Sequence, residues 1–331
     1  RVAVCQFAGR NHAMKVAIFK HNAELTDTYL RQMAALGADA IDFGGDTDIP
    51  GVKETGVPDL EGVRALRKRL RSFGLEINRV TLPNLSERFM QNQPGGEEEL
   101  ERTAQALQIY AQAGVPLARQ RFAGDVFPSH MQRYRSVHRG GYQSRGERLA
   151  PLAERQTPTP AELDQWWGQF CRAFERLTPI AEEYGIRLAI HPSDTPNQDT
   201  PFGGLGLHRV VDAFPSPQVG FVYCIGTRAE AGGSALVIDE INYYGRLGKI
   251  FMVHMRNVRG SLATTGGFEE TLLDDGDLNM FKILLELKKV GFDGYINPDH
   301  IPSLPGDTPE KSIGWGYSIG YLKALFAALV A

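Results

Sequence analysis

The sequence predicts an α/β protein of one kind, a closed (β/α)8 barrel, and three observations carry that prediction. Short β-branched runs and longer amphipathic runs alternate eight times from Met14 to the end of the chain. Amphipathic runs end at glycines and give way to a strand within a residue or two, as compact α/β units do. No glycine-rich phosphate fingerprint follows the first strand, which weighs against an open doubly wound sheet. Strand–helix alternation needs parallel strands with right-handed crossovers. Eight such units in 331 residues suit one closed barrel domain spanning 1–331.

The elements follow in order. "KVAIF" (15–19) is the first strand, and "LTDTYLRQMAALG" (25–37) has helical spacing and a terminal glycine. "ADAIDFGG" (38–45) is the second strand. The basic run "RALRKRLRSFG" (64–74) suits the wet face of a helix whose Val63, Leu66 and Leu70 point inward. "LEINRVTL" (75–82), a helix over "EEELERTAQALQIYAQAG" (97–114) and the fourth strand "VPLARQRF" (115–122) come next. Residues 124–160, rich in Arg, Gly, Ser and Tyr, break the rhythm and read as a long lid-like loop inserted after strand four. A helix over 160–185 then buries Trp166, Phe170 and Phe174. Four more strands follow: "IRLAIHP" (186–192), "VGFVYCIG" (219–226), "KIFMVHMRN" (249–257) and "GYINPDH" (294–300). Helices over 207–214, 235–245, 279–291 and 316–330 separate and close them, and "GGLGLH" (203–208) reads as a loop. The thirteen residues before Met14 form an extension that could plug the barrel bottom, add an edge strand or have no structural role.

Composition narrows the function classes. The chain is 42% hydrophobic and 23% charged with a net charge of -3, so it has no basic excess for nucleic acid and no polybasic membrane patch. No unbroken run of 18 apolar residues occurs, which argues against a spanning helix. Three scattered cysteines, Cys5, Cys171 and Cys224, are too few for a disulfide framework. A cytoplasmic location is expected, with no nucleic-acid or membrane partner and room for a homo-oligomer.

Chemistry enters at the strand ends. The fifth strand ends at His191, the sixth at Cys224, the seventh at His254 and the eighth at Asp299. In a barrel those ends share the C-terminal face, where loops build the active site. Neighbouring strands lie about 4.8 Å apart, so four such side chains can converge on one ion. Each residue alone has an ordinary structural explanation; four on consecutive strands do not. Two imidazoles, a thiolate and a carboxylate favour Mn, Fe, Co, Ni or Zn over Mg or Ca.

The segments "AIHPSDTP", "YCIGT", "VHMRNV" and "NPDH", in this order, resemble the metal-site motifs of mannonate dehydratases, members of the xylose-isomerase-like group of metal-dependent TIM barrels. The resemblance is strongest over 187–328 and includes "DGDLNMFKILLELKKVGFDGYINPDH" and "GYSIGYLKAL". It implies one Mn2+ or Fe2+ held by His191, Cys224, His254 and Asp299. It also implies a sugar-acid substrate, D-mannonate, losing water to give 2-keto-3-deoxy-D-gluconate. Such a reaction needs an acid and a base beside the cation. His300 is the first candidate and Tyr317 the second. Arg256 and Asn257 are suited to hold a carboxylate and a hydroxyl, and Asp194 to support His191 or accept sugar hydroxyls; Arg259, a little further on, could share that role or equally be a solvated charge. The alternatives are a metal-dependent sugar isomerase or epimerase on the same barrel, and a non-catalytic sugar-acid-binding relative. Isomerases commonly use glutamates at strand ends, whereas Glu269 and Glu270 are expected in a loop.

Overall fold

The structure is a computed structural model that describes residues 14–20, 24–44, 48–125, 127–193 and 204–330. The extension over 1–13 and Asp194 lie outside these residues. Twelve strands are formed among the described residues. In chain order they are β1 (Lys15–Phe19), β2 (Ala40–Asp42), β3 (Glu76–Thr81), β4 (Leu117–Arg119), β5 (Met131–Val137) and β6 (Gln143–Leu149). Then come β7 (Arg187–Ile190), β8 (Val219–Cys224), β9 (Ile250–His254), β10 (Asn257–Arg259), β11 (Gly267–Thr271) and β12 (Tyr295–Asn297).

Eight of these strands close a parallel barrel in the order β1-β12-β9-β8-β7-β4-β3-β2. Because successive side chains alternate across a strand, each barrel strand feeds two cores. Val16, Ile18, Ile77, Val80, Leu188, Ile190, Phe221 and Tyr223 join the main core beneath the surrounding helices. Leu117, Ala189, Val222, Phe251 and Met252 form a separate cluster. That cluster is the apolar floor of the barrel interior, packed as a layer of inward side chains.

The helices obey their end signals. Pro160–Tyr184 starts with a capping box between Thr159 and Glu162 and stops at Gly185 in the left-handed region. Phe170 and Phe174 are buried on it, while Trp166 is only partly buried. In Leu60–Ser72, Val63 and Leu70 face inward and Arg64, Lys68 and Arg71 face solvent, as expected. Ser312–Val330 is, by length and composition, long and apolar enough to cross a membrane, although it holds no unbroken run of 18 apolar residues. Here Trp315, Ile319 and Leu322 are fully buried, and the helix packs on β1 and on the helices Asp27–Leu36 and Met280–Lys289.

Three expectations are corrected. The stretch over 124–160 is not a plain loop: β5 and β6 form a hairpin within it. Through β6 the hairpin pairs with β11, and β11 pairs with β10, giving a second, antiparallel sheet. Since β10 begins three residues after His254, this sheet rises from the C-terminal end of β9. "GGLGLH" is largely helical, because the helix preceding β8 spans Gly204–Ala213. Glu269 and Glu270 lie on β11, not in a loop.

Candidate functional site

The floor cluster sets the site by a two-residue step. Two positions beyond Ala189, Val222 and Met252 stand His191, Cys224 and His254, so period-two alternation points all three into the barrel at its C-terminal mouth. Their ligand atoms lie within 4.8 Å of one another. His191 Nε2 is 3.1 Å from His254 Nδ1. Asp299, beyond β12, brings Oδ1 to 3.4 Å from His254 Nδ1 and Oδ2 to 3.8 Å from Cys224 Sγ. Donors about 2.1 Å from a shared cation stand ~3.0–3.4 Å apart, slightly more where sulfur is involved. The observed spacings fit that polyhedron.

Local structure aims each group. Asp299 sits at φ 62, a left-handed conformation that aspartate tolerates better than most residues. Its N–H donates to Asn297 Oδ1 at 2.8 Å, which holds the turn. Asn297 Nδ2 in turn donates to Asp42 Oδ2 at 2.6 Å, and Asn78 Nδ2 donates to Asp42 Oδ1 at 2.7 Å. Burial raises the Asp42 carboxyl above its usual range, although Arg79 opposes this. Cys224 caps the helix Ile225–Arg246, where its Sγ accepts from Thr227 N–H at 3.4 Å. Burial pushes the thiol up to about 12, while Arg256 works against it. His254 is held down to about 3 chiefly by burial and is therefore neutral, the form that binds metal. Its Nε2 is buried with no hydrogen-bond partner among the described residues, so the ring's polar contacts all lie on the side of the other three groups. The donor set fits a divalent transition ion.

Behind Asp299 lies a buried ionic network. Arg256 Nε donates to Asp299 Oδ2 at 2.9 Å, and Arg256 Nη2 donates to Thr227 Oγ1 at 2.9 Å. Arg256 Nη1 pairs with Glu230 and lies 3.1 Å from Glu270 Oε1. Arg145, from the hairpin, reaches Glu230 and Glu270 at 3.0 Å each. Gly226 makes the close approach possible: a Cβ there would stand 2.2 Å from Arg256 Cγ. His300 Nδ1 lies 2.6 Å from Glu270 Oε1, and its Nε2 lies 3.8 Å from Asp299 Oδ1. The Asp299 carboxylate raises His300, and Glu270 adds to the effect. Burial alone would raise Glu270, but Arg256 and His300 bring it down to about 2. Burial would likewise raise Asp299, yet His300 and Arg256 keep it well below the usual carboxylate range. His300 is half exposed and lines a cavity of about 500 Å³ with Arg145, Glu270 and Lys311.

The remaining candidates fall elsewhere. Arg256 is 2% exposed and committed to three carboxylates, so it supports Asp299 and does not face the cleft as expected. Asn257 is 1% exposed, and its amide is engaged with Leu273 O, Leu278 O, Val258 N and Leu278 N; it fixes a loop. Tyr317 donates to Asp274 Oδ1 at 2.5 Å, and Asp274 also accepts from Arg139. Arg259 is an exposed charge on Asp275. Glu230, Glu270, Arg145 and Asp42 were missed by sequence reasoning. Only Asp42, closing a buried strand, carried the strand-end signal.

A sequence model of D-mannonate dehydratase matches residues 147–331. The mannonate dehydratase of Geobacillus thermodenitrificans is 34% identical over 152 residues, 42% of this chain and 39% of that protein. The chain thus spans well under half the length of that curated relative. The crystal structure of mannonate dehydratase from Streptococcus suis serotype 2 superposes with a TM-score of 0.76 at 21% identity, covering 96% of this chain and 93% of that one. A xylose isomerase domain protein from Alicyclobacillus acidocaldarius shares the fold, with a TM-score of 0.65, 15% identity, and 96% and 100% of the two chains covered. With more than half of its residues inside the family match, the chain belongs to the D-mannonate dehydratase family.

Proposed function

We propose that this chain is a metal-dependent sugar-acid dehydratase that converts D-mannonate to 2-keto-3-deoxy-D-gluconate and water. The observation that carries the reading is the convergence of His191, Cys224, His254 and Asp299 at the mouths of four consecutive barrel strands. These four residues would hold one Mn2+ or Fe2+. When bound, such an ion polarises substrate oxygens and orients the sugar.

The reaction removes the proton on the carbon next to the carboxylate and expels the hydroxyl from the following carbon; the resulting enol becomes the 2-keto acid. His300 is assigned the proton transfer at the departing hydroxyl. Glu270 Oε1 accepts a hydrogen bond from His300 Nδ1, fixes the ring and favours its protonated form, which leaves Nε2 for the substrate side. Tyr317, tied to Asp274, is left out of the machinery.

The test is elemental analysis of the purified protein together with a screen of hexonates for 2-keto acid formation. One transition-metal ion per chain and metal-dependent 2-keto acid release from D-mannonate are expected. Ketose formation from aldoses, with hexonates untouched, would replace this reading with an isomerase.

A further inference from the structure

The step that takes the barrel floor to the candidate ligands applies to a fourth strand. Leu117 belongs to the same floor cluster, and two residues on stands Arg119, the last residue of β4. β4 is the neighbour of β7 in the barrel. Arg119, His191, Cys224 and His254 therefore form one inward layer on four adjacent strands. A guanidinium in that layer, beside groups that would bind a cation, needs a reason.

Its surroundings do not supply one. Among the described residues no ion pair or side-chain hydrogen bond is formed by Arg119, and its Nε is buried without a partner. The residue as a whole is partly exposed and is not sealed in the core. Arg79 adds to the positive field: it lies 5.2 Å from the centre of the Phe19 ring, whose edge meets His254. Burial, then the charges of Arg79 and Arg121, hold Arg119 down to about 9, while Asp125 and Asp299 pull the other way. An anion in the cleft would relieve that field. Arg256, the arginine first expected to bind the substrate, is already committed to buried carboxylates.

We propose that Arg119 grips the carboxylate of the sugar acid, across the candidate metal centre from His300. A guanidinium binds a carboxylate through two parallel charge-assisted hydrogen bonds, which makes it selective for acids over the corresponding alcohols. This assignment rests on the sugar-acid reading of the site and names the residue that recognises the acid.

The test is calorimetric titration of the Mn2+-loaded full chain with the 3-deoxy analogue of D-mannonate, an acid that lacks the leaving hydroxyl and is not turned over, and with the neutral polyol D-mannitol, for wild type, R119Q and R119K. Metal content and melting temperature are measured alongside. Wild type is expected to prefer the 3-deoxy acid strongly. R119Q should lose roughly 30-fold or more in affinity for it, the scale of removing one partner of a charged contact, with metal content retained. R119K keeps the charge but not the fork, should bind at an intermediate level, and decides the matter if R119Q does not fold. Unchanged affinity for the 3-deoxy acid in the folded variants overturns the Arg119 assignment alone. Failure of wild type to bind any hexonate overturns the sugar-acid reading, and this inference with it.

Discussion

Replacing Arg256 with methionine separates two roles for that residue. Methionine keeps much of the length and removes the charge. Glu230 and Asp299, whose side chains are 2% and 5% exposed, would each lose a guanidinium contact. Removing one partner of a buried ion pair costs about 3–5 kcal/mol. Glu230 keeps Arg145 at 3.0 Å, and Asp299 keeps its two histidine neighbours, so the lower end, about 3 kcal/mol, applies. At roughly 2–4 °C per kcal/mol for a sizeable domain, the melting temperature should fall by ~6–12 °C. Differential scanning calorimetry of the metal-free protein reads this directly. Saturating Mn2+ should narrow the gap, since a dication beside Asp299 replaces the lost charge. A variant melting within about 2 °C of wild type, but with a raised KM for hexonate, would refute the reasoning and return Arg256 to the substrate.

Three further outcomes follow from the same geometry. Gly226→Ala would press a Cβ into Arg256 Cγ at 2.2 Å and should cost about 1–3 kcal/mol, measured by thermal unfolding. Asn257→Ala strips hydrogen bonds from a buried loop and should cost about 2–3 kcal/mol, with KM unchanged in steady-state kinetics. Asp274 fastens the hairpin through Arg139: burial would raise its carboxyl, but the hydrogen bonds from Arg139 and Tyr317 hold it below the usual range. A depressed folded-state value means the clasp is fully stabilising above the ordinary aspartate pKa of about 3.9 and is lost as pH falls through the folded value. Because Asp274 is about one-third exposed, the effect is under ~1 kcal/mol. Hydrogen exchange over 131–149 should rise in that acid range, and D274N should remove the step.

The barrel was legible because buried parallel strands leave short apolar runs, and because the helices between them end at glycines. The candidate ligands were legible for a related reason: a strand that buries both faces has little cause to end on His191, Cys224 or His254. The hairpin was not legible. Most of β5 is exposed or partly exposed, so "MQRYRSV" lacks the alternation that marks a half-buried strand, and its order comes from pairing with β6. Arg256 and Asn257 were read from their place just past His254, but nearness in sequence does not say which way a side chain points once β9 gives way to β10. Glu230 gave no signal, lying in a helix whose partner is 26 residues away. Arg119 did give one, the strand-end position that singled out His191, but in "VPLARQRF" its charge was masked by Arg121 nearby.

X-ray absorption at the metal edge tests the central claim most directly. For the Mn2+- or Fe2+-loaded wild-type chain, the account predicts one sulfur scatterer in the first shell with nitrogen and oxygen donors, at one ion per chain. Cys224→Ser should lose that sulfur shell and most of the bound metal while remaining folded. A fully loaded wild type whose metal has no sulfur neighbour would contradict the account.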